Sequence, residues 1–257
     1  MNERTNTVKS IVKAFDILEL LDKRRELGIT EISEALKMDK STVHRIISTL
    51  KEKKYVVQNI SNNKYSNSFK LFEMGNNVIE RLGLRRLAQP YLEQVARITN
   101  ETVNIAVMYD RDIIYIDKIE SPATIKVDLN IGKRLPAYCT GLGKAMLAFM
   151  PEDKALKMLE NVEFVKHTNK TVSDKKLLFK QFVRIREKGY CLDDEEYVEG
   201  LKCIAAPVFN YYGEVIAAIS IAVPKYRYDE GEKNIGYGNL IRTTAASLSK
   251  EFGYSHN

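Results

Sequence analysis

The chain is poor in cysteine and histidine and has no long hydrophobic run. Its three cysteines, Cys139, Cys191 and Cys203, lie in 257 residues without a CxxC pair. That excludes a disulfide scaffold and a cysteine-rich zinc site, and it points to a reducing, cytoplasmic setting. Histidines number three: His44, His167 and His256. Cysteine-hydrolase chemistry needs a histidine beside the thiol. His44 falls on a helix face with another use (below), and His256 lies in the terminal tail. Only His167, in a polar loop, remains as a partner. No apolar stretch approaches the ~20 residues that cross a bilayer. The longest clean one, Val215–Val223, is strand-length. The opening MNERTNTVKS carries no apolar core of a secretory signal. Internal repeats and low-complexity segments are absent.

What is present is ordinary globular composition, 44% hydrophobic and 29% charged. The length suits one large domain or two modest ones. Net charge is +6, and its placement is uneven. From Lys40 to Lys70 there are seven bases and one acid, Glu52. From Glu187 to Glu199 there are six acids and one base, Lys188. One part of the chain can face a polyanion; the other carries an acidic stretch, expected to be solvated surface.

Apolar spacing organises the first part. Val8, Ile11, Val12, Phe15, Leu18 and Leu21 repeat with a helical period. After Gly28, Thr30 is expected to cap a short helix, Glu31–Leu36. Asp39 is expected to cap a third helix, on which Val43, Ile46, Ile47 and Leu50 form one apolar stripe. Its other face shows Ser41, Thr42, His44, Arg45, Ser48 and Thr49, with no acid. Strand-like Tyr55–Gln58 and Lys64–Ser66 flank a Ser61-Asn62-Asn63 turn. Three short helices and a basic hairpin in this order form a winged helix-turn-helix pattern. Short hydroxyl side chains suit phosphates, and Arg45 can reach a guanine edge.

A linking helix is expected over Lys70–Leu84. Arg85–Thr99 follows as a helix with a kink or restart at Pro90. Then come a hairpin (Val103–Tyr109, Ile113–Ile119), a strand over Thr124–Leu129, and a helix over Thr140–Phe149. Pro151 starts a short helix. Ser173 is expected to cap a longer one with Leu177, Leu178, Phe182 and Ile185 inward, ending at Gly189. Strands Cys203–Phe209 and Val215–Val223 precede a last helix from Asp229 to Phe252.

The residues Gly28-Ile29-Thr30-Glu31-Ile32, Lys40-Ser41-Thr42-Val43-His44-Arg45 and Lys53-Lys54-Tyr55-Val56 resemble the N-terminal module of the IclR family of bacterial transcriptional regulators. Farther on, Arg134-Leu135-Pro136-Ala137, Thr140-Gly141-Leu142-Gly143-Lys144-Ala145, Gly189–Glu196 and Gly200–Val208 resemble that family's effector-binding region. The resemblance implies an α+β protein. A winged helix-turn-helix (1–68) and a linker helix (69–84) precede a GAF/profilin-like effector domain (85–254) with an antiparallel sheet and flanking helices. It implies a DNA-binding set of Thr30, Ser41, Thr42, His44, Arg45, Ser48 and Lys64. It also implies an effector pocket of Leu135, Gly141, Leu142, Asp193, Cys203 and Ser220. A metabolite-controlled regulator, a repressor, is expected. Its partners would be palindromic double-stranded operator DNA, a small organic-acid effector (keto, sugar or aromatic acid), and further copies of the chain in a dimer or tetramer. No catalytic residue, metal, cofactor or membrane is expected.

Taken by themselves, Gly141 and Gly143 allow two readings. Free N–H groups at a helix start can hold an anion, or the glycines can serve close helix–strand packing, which the residues alone favour. Asp193, Cys203 and Ser220 could equally be a surface carboxylate, a small buried thiol and a core serine. Where the family often has a second serine, two positions after the first, this chain has Ala222. The rival function is an enzyme acting on a small acid and localised by its DNA-binding module.

Overall fold

The computed structural model describes residues 7–123, 130–228 and 232–255. The strand expected over Thr124–Leu129 and the start of the last helix at Asp229 lie outside them. The chain divides into two compact units, Met1–Leu82 and Gly83–Asn257.

The first unit runs α1 (Lys9–Arg24), β1 (Glu26–Leu27), α2 (Ile29–Leu36), α3 (Lys40–Glu52), β2 (Val56–Gln58), β3 (Tyr65–Asn67) and α4 (Phe69–Leu82). Its core gathers Ile17 and Leu21 of α1, Ile32 of α2, Val43, Ile47 and Leu50 of α3, and Val56 of β2. The stripe read on α3 is thus the buried one. The stripe read on α1 is mostly not: Val8, Ile11, Val12 and Phe15 are exposed, and only the C-terminal half of α1 enters this core. Two caps also differ from expectation. The cap of helix α2 is Gly28, whose N–H donates to the Glu31 carboxylate three residues on, at 2.7 Å. Thr30 is therefore already inside the helix. Asp39 stands at the cap of α3 but makes no side-chain cap bond. The hairpin expected from sequence gains a third strand, in the order β1-β3-β2.

The second unit holds α5 (Leu84–Thr99), β4 (Thr102–Tyr109), β5 (Asp112–Ile119), β6 (Arg134–Pro136), α6 (Gly141–Phe149), α7 (Glu152–Met158), α8 (Lys175–Lys188), β7 (Cys191–Asp194), β8 (Leu201–Phe209), β9 (Val215–Pro224) and α9 (Glu232–Glu251). Helix α5 passes through Pro90 without restarting. The break falls at Gly83, whose left-handed φ of +64° favours a glycine. The strands form one antiparallel sheet in the order β6-β5-β4-β9-β8-β7. Helices α5 and α9 pack against this sheet, as does α6, which α8 covers in turn. Being covered on both faces, β9 reads as an almost unbroken apolar run, Val215–Val223.

Helix α6 carries much of the core. All its residues from Gly141 to Ala148 are buried. It approaches the preceding turn so closely that a Cβ on Gly143 would lie 2.3 Å from the Ala137 carbonyl oxygen. Close packing is thus the reason for this glycine. Helix α8 is capped by Asp174, not Ser173: its carboxylate accepts from the Leu177 N–H at 2.9 Å. Leu178, Phe182 and Ile185 face inward, whereas Leu177 is exposed. None of the described helices is long and apolar enough to cross a membrane.

Candidate functional site

In the first unit, α3 presents Ser41, His44, Arg45, Ser48 and Thr49 to solvent, with Thr42 half-buried. Thr30 is exposed near the start of α2. These residues follow from the α3 stripe: burying Val43, Ile47 and Leu50 turns the intervening positions outward. Lys64 behaves differently. Its Nζ is 3.0 Å from the Glu31 carboxylate, so the wing is tied back to α2 rather than offering a free cation. The same carboxylate accepts from Gly28, and these two bonds hold Glu31 below the usual carboxylate range. At the wing, Asn62 donates to Glu26 at 2.9 Å.

In the second unit, the sequence-expected pocket residues converge. Leu135 of β6, Gly141 and Leu142 of α6, Asp193 of β7, Cys203 of β8 and Ser220 of β9 all line one cavity. Tyr115, Thr140, Tyr197, Val198 and Leu201 complete it. Register explains the meeting. Asp193 pairs with Cys203, which pairs with Ala222, while Ser220 lies two residues back along β9. The α6 N-terminus sits on this corner, so close that a Cβ on Gly141 would lie 3.3 Å from the Cβ atoms of Asp193 and Cys203. The free volume is small, about 20 Å³. That holds a water and little more.

The helix start is not vacant. The Gly141 N–H donates to the Asp193 carboxylate at 3.1 Å, and the Gly143 N–H to Thr140 Oγ1 at 3.3 Å. Asp193 also accepts from the Glu196 N–H at 3.0 Å. It is therefore a buried internal anion at the place where a ligand anion would sit.

The acidic stretch corrects the expectation of solvated surface. Asp193, Glu195 and Glu196 are buried, and Asp194 is half-buried. Each has partners. Glu196 takes the ammonium of Lys144, with Gln181 Nε2 at 3.1 Å and the Val172 N–H at 3.3 Å. Glu195 meets Lys170 and Lys225, both at 2.7 Å, which hold its carboxyl down to about 2. Asp194 meets Lys170 at 2.8 Å and Lys202 at 3.0 Å. Lys144 itself is 1% exposed. Burial alone would favour its neutral form, but the Asp193 and Glu196 carboxylates outweigh burial and keep it charged. Asp193 is raised to about 6, chiefly by burial and then by Glu196, against the opposing pull of Lys144. Burial also pushes up the Cys203 thiol, with Asp193 adding to the effect. It stays a neutral donor rather than a nucleophile. His167 packs on the Tyr197 ring at 4.8 Å and lies 3.4 Å from the Tyr138 hydroxyl.

Sequence reasoning did not mark Tyr115, Tyr197 or the Lys144–Glu196 pair. Lys144 had a signal: a lone lysine in the otherwise apolar GLGKAMLAF must bring a carboxylate with it. The two tyrosines had none, because only the fold brings them to this corner.

Comparison with known proteins decides the family. A family model described as "Bacterial transcriptional regulator IclR C-terminal" matches residues 76–250, and one described as "IclR helix-turn-helix domain" matches residues 10–59. The chain belongs to the IclR family. The HTH-type transcriptional regulator KdgR of Escherichia coli is 38% identical over 254 residues, covering 99% of this chain and 96% of KdgR. XynR of the same organism is 33% identical, covering 96% and 98%. The Thermotoga maritima IclR crystal structure superposes with a TM-score of 0.81 at 30% identity, over 96% of this chain and 99% of that one. This IclR-family chain is therefore a DNA-binding transcriptional regulator, and its relatives are regulators rather than enzymes.

The buried Asp193 makes stability depend on pH. Unfolded, its carboxyl titrates near the ordinary value of ~3.9; folded, it titrates at about 6. The folded state holds this proton more tightly, so the associated stabilisation is complete below the unfolded value and is lost as pH rises through the folded one. Asp193→Asn removes the titration. The difference in Tm, variant minus wild type, should climb as pH rises from about 4 to about 6 and then level off. Thermal melts across that range measure it.

Proposed function

We propose that this protein is a cytoplasmic, ligand-responsive repressor whose second unit takes a small monoanionic hydroxy or keto acid. One observation carries the reading: residues from β6, α6, β7, β8 and β9 meet at a buried helix N-terminus in one cavity. The ligand carboxylate takes the backbone amides at Gly141 and Leu142, and its hydroxyl or keto end turns to Cys203 and Ser220. Asp193 holds the Gly141 amide in the absence of ligand, so it must yield that bond. It then receives a ligand hydroxyl, or carries a proton. A dicarboxylate would bring a second anion against Asp193 and is disfavoured. Because the free volume is about 20 Å³, binding requires the segment with Tyr197, Val198 and Leu201 to move outward. Repression is supported by a relative named a transcriptional repressor, AllR of Salmonella typhi, 29% identical over 246 residues.

In the first unit, Arg45 reads base edges, while Thr30, Ser41, Thr42, His44 and Ser48 hold phosphates or bases. Lys64 fixes the wing through Glu31 and contacts DNA only if that pair opens. Control follows if ligand and DNA prefer different arrangements of the whole assembly. A second copy of this chain covers the apolar groove of the first unit, where Ile11, Phe15, Leu18 and Met74 gather. A two-fold dimer matches a palindromic operator, and a tetramer would pair two such dimers.

Three outcomes are expected. Arg45→Ala should weaken operator binding by about 1–3 kcal/mol and relax preference at one base pair, with log K_obs of the wild type falling by about 0.9 per log unit of salt for each phosphate contact. Fluorescence anisotropy on operator and random duplexes checks this; equal loss on both would make Arg45 a phosphate contact. Phe15→Glu should shift the sedimentation of the protein from dimer towards monomer, since a buried charge opposes the apolar contact. Asp193→Ala should blunt release from operator by hydroxy or keto acids while leaving ligand-free DNA affinity near the wild-type value. A wild-type ligand response in that variant would move the effector elsewhere.

A further inference from the structure

Asn104 on β4 is 1% exposed, and its Oδ1 is buried without a hydrogen-bond partner. An orphaned carboxamide in a protein interior is unfavourable and rare. Its position on the sheet says what it could serve. Asn104 pairs in register with Ser220, which lines the cavity. Side chains directly opposite one another share a face of the sheet. The same face carries Ala106 and Ala218, which belong to the core around α6. So Asn104 stands beside Ser220, one strand farther from Cys203, on the side of the sheet that α6 covers.

None of its neighbours makes a hydrogen bond to this oxygen. Ala106 follows it along β4, and Ala218 and Ala222 flank Ser220 on β9. Thr102, two residues before it, accepts from the Ser121 N–H through its own hydroxyl. Lys118, opposite on β5, reaches Glu120 at 2.9 Å. Ser220, Thr102 and Lys118 thus share this patch with the methyl groups of Ala106, Ala218 and Ala222, and none of them is bonded to the Asn104 Oδ1. Ala222, where a second serine could stand, leaves this floor one hydroxyl short on the Cys203 side, and Asn104 adds a polar group on the other.

Resting on the hydroxy-acid reading of the cavity, we propose that Asn104 is a further effector-binding residue, which selects acids carrying a second hydroxyl or carbonyl next to the one that Ser220 receives. Adjacent antiparallel strands lie about 5 Å apart. Two side chains at that spacing can each take one of two oxygens on neighbouring ligand carbons. The carboxamide offers both a donor and an acceptor, so it can meet a hydroxyl or a carbonyl.

Lactate and glycerate form a minimal pair, differing by one hydroxyl beyond the shared 2-hydroxy acid. The test uses the full-length protein, wild type and Asn104→Leu, with both acids as racemates titrated by calorimetry, and the Tm of each ligand-free protein. Glycerate should bind the wild type about ten-fold more tightly than lactate, the worth of one good hydrogen bond. Asn104→Leu should erase that preference, keep lactate binding, and melt at or above the wild-type temperature, because leucine has the shape of asparagine without its unmet polar atoms. A variant that keeps the glycerate preference overturns the proposal. So does a variant that melts clearly lower, since the amide would then hold the fold, for instance through a buried water. If neither acid binds the wild type, the hydroxy-acid reading of the cavity falls, and this proposal with it.

Discussion

A lysine ammonium inside an apolar helix is the constraint on which the second unit depends. Lys144 has no route to solvent, and an isolated charge there would not be tolerated. Glu196 must therefore come to it, with Gln181 and the Val172 amide taking up the remaining oxygen lone pairs. Glu196 lies two residues beyond the short strand β7, so the bond to Lys144 anchors the end of β7, where Asp193 meets the start of α6. The buried group then holds two carboxylates and one ammonium. Burial raises Asp193 to about 6, with Glu196 adding to the effect and Lys144 opposing it. Pairs of this kind rarely add much stability over an apolar alternative. Here the pair fixes a register, and the register makes the cavity.

The same logic changes the meaning of the acidic stretch. Four consecutive acids look like solvated surface because contiguous side chains diverge. In the fold they diverge towards different sets of partners: Asp193 to the Gly141 amide, Asp194 to Lys170 and Lys202, Glu195 to Lys170 and Lys225, and Glu196 to Lys144. The turn that carries them also carries Tyr197 and Val198, which close the cavity. The ion pairs that hold it are of graded exposure. The Lys170 and Lys225 side chains are half-exposed and can exchange with water, whereas Lys144 cannot.

The first unit answers to a different constraint, the shortage of core in a small helical module. It buries one stripe of α3 and only part of α1, and leaves Val8, Ile11, Val12, Phe15 and much of α4 in contact with solvent. Exposed apolar surface on this scale suits association with another copy. It also frees the polar face of α3 from any packing role. Ion pairing within the unit is spent on the wing, where Lys64 and Glu31 fix the hairpin against α2.

Local pattern was enough for a good deal of this protein. Periodicity in α3, the acid-free face opposite its stripe, the β4–β5 hairpin and the final strand pair were all legible, because each depends on neighbours within a few residues. So were the cavity residues, through the family's motifs. Helix starts were misplaced by a residue or two at Thr30 and Ser173, where a nearby carboxylate, Glu31 or Asp174, provides the bond. Pairings across long separations were not legible. Nothing near Lys144 in sequence marks Glu196 as its partner, Lys64 offers no local sign that Glu31 will claim it, and the exposed half of α1 has the same period as a buried one. Hydrophobic spacing says that a face is apolar, not what covers it, and a charge in sequence does not name its counter-charge. Those choices belong to the tertiary structure, because a buried charge or an apolar face finds its partner through space, and only the folded sheet and helices bring residues so far apart in sequence within a few ångströms.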